Sequence, residues 1–245
     1  MLSLLRKLRR NFLGNGRFSQ YLIYAIGEIF LVVIGILIAL QINNWNENKK
    51  QKRYELKMLN ELSNTLKKDK KYLGSLISRL DQKENSVNLL LEMRETGSEN
   101  LDSLSRHFQN MRYEILFQYN AGAYGSIKSG GLDKISNDSI RNKMEDLYEF
   151  LIPRTEKILD KLEESNSLEE ELIEKLTQRT IVTRNRNKII QRVAVDPKII
   201  YSPDFLQLLQ VNKSNTFVSK SRIESILPAM AELDSLIQVE IGNQE

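Results

Sequence analysis

Hydrophobic residues change their spacing along this chain, and each spacing predicts a different kind of helix. From Tyr21 to Leu40 the sequence reads YLIYAIGEIFLVVIGILIAL, an apolar run with one charge, Glu28. At about 1.5 Å rise per residue it spans roughly the ~30 Å hydrocarbon core of a bilayer, which predicts a single transmembrane helix. Tyr21 and Tyr24 at one end and Trp45 just past the other suit the two membrane interfaces. Beyond Lys50 the apolar positions become periodic. Leu59, Leu66, Leu73, Leu80 and Val87 recur every seventh residue, and Leu62, Leu76 and Leu90 fill the alternate seam, with breaks at Asp69 and Lys83. Such a heptad predicts a long, partly coiled-coil-like helix that buries one stripe against other helices of its own chain or of another protomer, closed by Gly97.

The remaining chain also reads as helices. One is expected over Leu101 to Phe117, and the glycines of AGAYGSIKSGGLDKI, from Ala121, predict a packed turn after it. Ser136, Asn137 and Asp138 can cap a long helix running through Ile140, Met144, Leu147, Leu151, Ile158, Leu162, Leu172 and Leu176, with a kink at Pro153. Arg179 to Arg192, with Arg184, Arg186 and Lys188, is basic with no acid and reads as a loop that balances the acidic face before it, with contact to an acidic lipid or polymer as the alternative. Ser202-Pro203 opens a short helix through Phe205, Leu208 and Leu209. A last helix near Thr216 to Ile241 buries Ile223, Ile226, Leu227, Met230, Leu233 and Ile237, with a bend at Pro228. The fold class is therefore all-α, a single N-terminal transmembrane helix followed by a helical bundle. Its expected organisation is a basic cytoplasmic or interfacial segment over 1–20, the span over 21–40, a juxtamembrane connector over 41–54 and an α-helical soluble domain over 55–245.

Charge alters the picture at the N-terminus. Arg6, Lys7, Arg9, Arg10 and Arg17 precede the span with no acid among them, while Lys49, Lys50, Lys52 and Arg53 follow it. The positive-inside count narrowly favours a cytoplasmic N-terminus and an exported domain, which in a bacterium places the chain in the inner membrane with its C-terminal domain in the periplasm. Leu2, Leu5, Leu8 and Phe12, interleaved with the basic residues, fit either a short helix on anionic headgroups or a disordered flank. A cleaved signal peptide fits less well, because its apolar region would be shorter and Ala39-Leu40-Gln41-Ile42 offers no small-x-small cleavage site. Five of the 36 basic residues lie before the span and one of the 32 acids lies inside it, which leaves 31 of each for the rest. That balance gives no argument for binding nucleic acid.

Candidate chemistry is sparse. With no Cys and one His, the chain has no thiol nucleophile, disulfide, zinc-thiolate cluster or multi-histidine metal site. His107 has no Ser or Cys constellation beside it in sequence and reads as a packed or surface imidazole. The acid run Glu163, Glu164, Glu169, Glu170, Glu171 and Glu174 lacks EF-hand or Glu-x-x-His spacing and reads as a solvated face. No phosphate-binding glycine motif is present. We therefore expect no enzyme, no catalytic residue, no metal and no cofactor.

Glu28 stands apart because an acid in hydrocarbon costs on the order of 2.5–3.5 kcal/mol on insertion scales. Tyr21, Ala25, Glu28, Val32, Gly35 and Ala39 alternate at spacings of four and three, which puts them on one helix face, and small residues there let another helix approach closely. Ala25, Glu28, Val32, Gly35 and Ala39 are thus the expected membrane helix-helix contact. Relief of Glu28 by tilt or local water, and proton-coupled work, are the other readings of the same residue.

The run YLIYAIGEIFLVVIGILIALQINNWNENKK resembles the N-terminal pattern of a bacterial family of single-pass membrane proteins known as a domain of unknown function, closely across residues 17–53. A weaker echo follows in AYGSIKSGGLDKISNDSIRNKMEDLYEF. The resemblance implies a bacterial envelope protein, makes Glu28 part of the family pattern and brings no catalytic residues. The leading expectation is a non-enzymatic membrane-anchored envelope protein with a helical interaction or scaffold domain, whose partners are the lipid bilayer and either further copies of itself or another membrane protein. A subunit of a proton-coupled complex using Glu28, or a periplasmic sensor acting through a partner, are the alternatives.

Overall fold

The computed structural model describes residues 18–97, 101–112, 115–164, 167–184, 186–194 and 196–244. The basic tail up to Arg17, with Leu2, Leu5, Leu8 and Phe12, lies outside the described residues, as do the side chains of Glu163 and Glu164. The chain divides into two units, Met1–Tyr54 and Glu55–Glu245. Helix α1 spans Phe18–Thr96, so the stretch 41–54 expected as a connector is helical throughout.

In the first unit, α1 displays its apolar side chains. Leu22, Ile26, Ile29, Phe30, Leu31, Val32, Ile36 and Leu37 are all exposed, with Leu31 at 70%. The helix is long and apolar enough to cross a membrane, with a mean hydropathy of 2.5 over its most apolar window and none of that window buried.

The second unit is an α-helical bundle with one small hairpin. Along α1 the heptad positions Leu59, Leu62, Leu66, Leu73, Leu76, Leu80, Val87 and Leu90 are all buried. Each such side chain contributes about 1.5–3 kcal/mol by leaving water. Gly97, at φ 70, ends α1 in the left-handed conformation that an L-residue adopts with strain. Helix α2 follows as Leu101–Met111, shorter than the expected run to Phe117.

The glycine-bearing stretch forms first a helix and then the expected turn. Helix α3, Gly122–Gly130, buries Tyr124 and Ile127, and that burial offsets its weak glycine propensity. The turn comes one residue later, at Gly131 with φ 105, followed by a 3₁₀ segment Leu132–Lys134. Asn137 then caps α4, Asp138–Glu145, its side chain accepting from the amides of Ser139 and Ile140.

The long helix expected through Leu176 is several pieces. Between α4 and α5, Ile152–Glu164, lies a π-helical segment Asp146–Leu151, in which the Ile152 amide donates to the carbonyl of Leu147. This wide turn stands directly before Pro153, which has no amide to give the regular ladder. Helix α6, Ser167–Leu176, is separate.

Strands β1, Thr177–Arg184, and β2, Asn187–Ala194, form an antiparallel hairpin where a basic loop was expected. The β-branched residues Thr180, Ile181, Val182, Thr183, Ile189 and Ile190 suit a pleated ribbon, and Arg186 takes φ 65 in its turn. After a 3₁₀ segment Pro197–Tyr201, helix α7 runs Pro203–Gln244 without a break, merging the two helices expected there and passing through Pro228.

Polar contacts fix the direction of α7 against α1. Ser63 and Lys70 meet Asp234, Gln238 donates to Ser63, Asp81 and Glu84 meet Lys220, and Asn88 meets Lys213. Residue numbers fall on α7 as they rise on α1, so the two helices are antiparallel. One end of the bundle is closed by Val87, Leu90 and Met93 with Leu104, Phe108, Leu172, Ile200 and Phe205. There the rings of Phe108 and Phe205 stack at 6.5 Å, and the Arg94 guanidinium donates to the carbonyls of Ile200 and Ser202.

Candidate interaction surfaces

The membrane-face residues fall together in part. Ala25, Glu28 and Val32, with Ile29 and Val33, line a groove of about 300 Å³ along α1. Gly35 and Ala39 continue the row on later turns without lining that groove. A Cβ built on Gly27 or Gly35 would meet nothing within 4 Å, so the chain's own packing demands neither glycine.

In the bundle, a cleft of about 440 Å³ is lined by Ser75, Ser78, Arg79 and Gln82 of α1 and Asn110 of α2. Helical spacing places the four α1 residues on one face. Beside it, the Ser86 hydroxyl accepts from Asn110 at 3.3 Å and lies 3.3 Å from His107 Nδ1. Burial, aided by the charge of Arg106, holds the imidazole below its usual pKa and therefore neutral at pH 7. Ser86 is only 2% exposed, which closes its hydroxyl to an outside substrate. His107 itself is half-buried between Ser86 and solvent.

A second polar group ties α3 to the π-helical segment. Tyr124 and Tyr148 stack at 4.6 Å, nearly parallel, and Glu149 accepts from Tyr124 at 2.8 Å and from Lys128 at 2.7 Å. Burial pushes both phenols well above their usual range. Asp69, the heptad break, is buried in α1 and accepts from the Asn120 amide at 3.0 Å. Burial raises its pKa against the opposing effect of that hydrogen bond.

The acidic run of α6 does not converge. Glu169 is buried and accepts from Asn212 of α7 at 2.6 Å, whereas Glu174 pairs with Arg192 at 2.8 Å. Among the described residues no group of three or more His, Asp or Glu could hold a metal ion.

The surface that sequence reasoning missed is the hairpin. Ile181 is 68% exposed and Ile190, directly opposite it, 75%, while Ile189 is also exposed. Gln191 donates to Ser105 of α2 at 3.2 Å and Arg192 reaches Glu174 and Thr177, which fastens the base of the ribbon to the bundle. Its outer half carries Arg186 and Lys188, both exposed. The β-branched doublets on either side of Asn185-Arg186 were the signal available in the sequence.

A family model described as a family of unknown function, DUF6090, matches residues 28–194. No curated protein and no solved structure matches the chain.

Proposed function

The chain belongs to this family of unknown function, and we propose that it works as a non-enzymatic, membrane-anchored envelope protein whose helical bundle binds or scaffolds partners. The observation that carries the reading lies in α1. Its N-terminal part exposes a continuous apolar surface that the described residues leave uncovered, and its C-terminal part supplies the heptad stripe of the bundle core. An apolar surface of that length, with none of its most apolar window buried, is stable in lipid and not in water. Small residues around Glu28 favour a second membrane helix, from another copy or from a partner membrane protein.

In this reading the basic tail stays in the cytoplasm and the bundle lies on the periplasmic side of a bacterial inner membrane. Crosslinking in intact membranes followed by gentle detergent extraction is the direct test. We expect a homo-oligomer or a co-purifying membrane protein; monomer with no partner refutes the proposal. For orientation, a reporter fused after Glu245 should be active outside the cytoplasm, and activity confined to the cytoplasm reverses the assignment.

A further inference from the structure

We propose that the β1–β2 hairpin is a docking element for an extended acidic segment of a partner protein, which adds to it as a third strand. The inference deepens the interaction reading above and rests on it.

Three observations converge on the same ribbon. From Gln178 to Val195 the sequence carries Arg179, Arg184, Arg186, Lys188 and Arg192 and no acid. Arg192 is paired with Glu174, but Arg179, Arg186 and Lys188 form no ion pair among the described residues. The structure even sets Arg179 opposite Arg192, a like-charge pair that costs the hairpin stability on its own. Ile181 and Ile190 form an exposed cross-strand pair flanked by these cations, so the face offers apolar contact inside a basic frame. The sheet has only two strands among the described residues, which leaves the outer edge of each strand without a neighbouring strand. Such edges are templates for strand addition, with main-chain hydrogen bonds giving affinity and alternate side chains giving specificity.

Charge decides between occupants. A second copy would bring the same acid-free ribbon, and the two would repel. A partner strand alternating carboxylates with β-branched residues neutralises the cations and covers the isoleucine pair. A lipid surface supplies the negative charge, but it offers no strand partner, and the hairpin turn places Arg184 and Arg186 at the tip where a membrane wedge needs apolar residues.

The test uses the full chain in neutral detergent and an acetylated peptide of alternating Glu and Val. Binding is read by peptide anisotropy, and protection by amide hydrogen exchange over Thr177–Arg184 and Asn187–Ala194. We expect binding that weakens as salt rises, new protection confined to one or both strands, and affinity about tenfold or more lower for the same peptide with a central Pro. Arg186→Glu with Lys188→Glu should lose the binding and its salt dependence, and Ile181→Thr with Ile190→Thr should weaken it several-fold while keeping strand propensity. Equal binding of an alternating Lys and Val peptide, or protection elsewhere in the chain, overturns the proposal. So does protection of the hairpin by vesicles of phosphatidylcholine with phosphatidylglycerol when the acidic peptide gives none. If the peptide fails while membrane crosslinking still captures a partner, the hairpin assignment falls and the interaction reading survives; if the peptide binds but membranes yield only monomer, the interaction reading falls, and the hairpin's role as a partner-docking element falls with it.

Discussion

Phe30, Leu31 and Ile36 near the start of α1 are more than half exposed, whereas Leu59, Leu62 and Leu66 farther along the same helix are sealed from solvent. The presence of apolar side chains does not by itself separate the two stretches, since leucine occurs in both. Spacing does. An apolar run broken by Glu28 alone has almost no polar face to turn toward water, so it suits surroundings that are apolar on all sides, as lipid is. A seven-residue repeat confines the apolar side chains to one stripe, and other helices cover that stripe while water takes the rest.

The sharpest way to break this comparison is to make one cavity in each stretch. Leu62→Ala removes a fully buried side chain and should cost about 2–5 kcal/mol, read as a large drop in thermal midpoint of the full chain in detergent. Leu31→Ala should leave bundle stability within about 0.5 kcal/mol of the parent. Similar losses for both would mean that the first stretch is packed by protein after all. A charge should discriminate in the opposite sense. Val33→Arg places a cation in the apolar run at a cost of roughly 2.5–3.5 kcal/mol on insertion scales, so the chain should shift from the alkali-resistant membrane fraction to the extractable one. An unchanged fraction would remove the membrane reading of 21–40.

Asp69 tests a charged residue at a buried position of the seam. Its folded pKa is raised by burial, so the folded chain holds the proton more tightly than the unfolded one. Its contribution is therefore most favourable below the unfolded value of about 4 and is lost as pH rises through the folded value. Asp69→Asn keeps an oxygen for the Asn120 amide and removes the charge. The variant should melt higher than the parent at neutral pH, with the difference vanishing in acid. A lower melting point at neutral pH would show that the charge itself is needed.

Legibility in the sequence followed periodicity. Every apolar residue of the expected heptad on α1 is buried, and of the capping candidates Ser136, Asn137 and Asp138 it is Asn137 that caps. Punctuation by single residues misled. Gly122, Gly125 and Gly130 did not break α3, because Tyr124 and Ile127 anchor it in the core. The polar run around Asn212 did not separate two helices, since Asn212 is itself buried and bonded to Glu169 and to the Met111 carbonyl. In Arg179 to Arg192 the run of cations suits a loop, yet the β-branched residues between them pair as a hairpin. Tertiary contacts decided each case, and no local window contains them. Of the membrane-face residues, the three-and-four spacing is what the sequence supplies, and the described residues leave the apolar window unburied.

That face gives the smallest expected effect and the finest division within the exposed stretch. If lipid alone surrounds residues 21–40, every outward position is equivalent; if another helix covers one side, Ala25, Glu28, Val32, Gly35 and Ala39 differ from the rest. The open space around Gly35 means that Gly35→Leu is tolerated by the isolated helix, so any loss must come from a neighbour it pushes away. Glu28→Leu removes a polar contact across the same interface, with each effect on the order of 0.6–2 kcal/mol. Phe30 lies off that face, and Phe30→Leu should change little. An in-membrane association assay of residues 1–50 carrying each change separates the cases. Weakening by Gly35→Leu and Glu28→Leu but not by Phe30→Leu establishes a helix contact on the small-residue side. Equal effects of Gly35→Leu and Phe30→Leu, or a monomeric parent segment, would return Glu28 to the lipid interface, where tilt and local water satisfy its carboxyl without a partner.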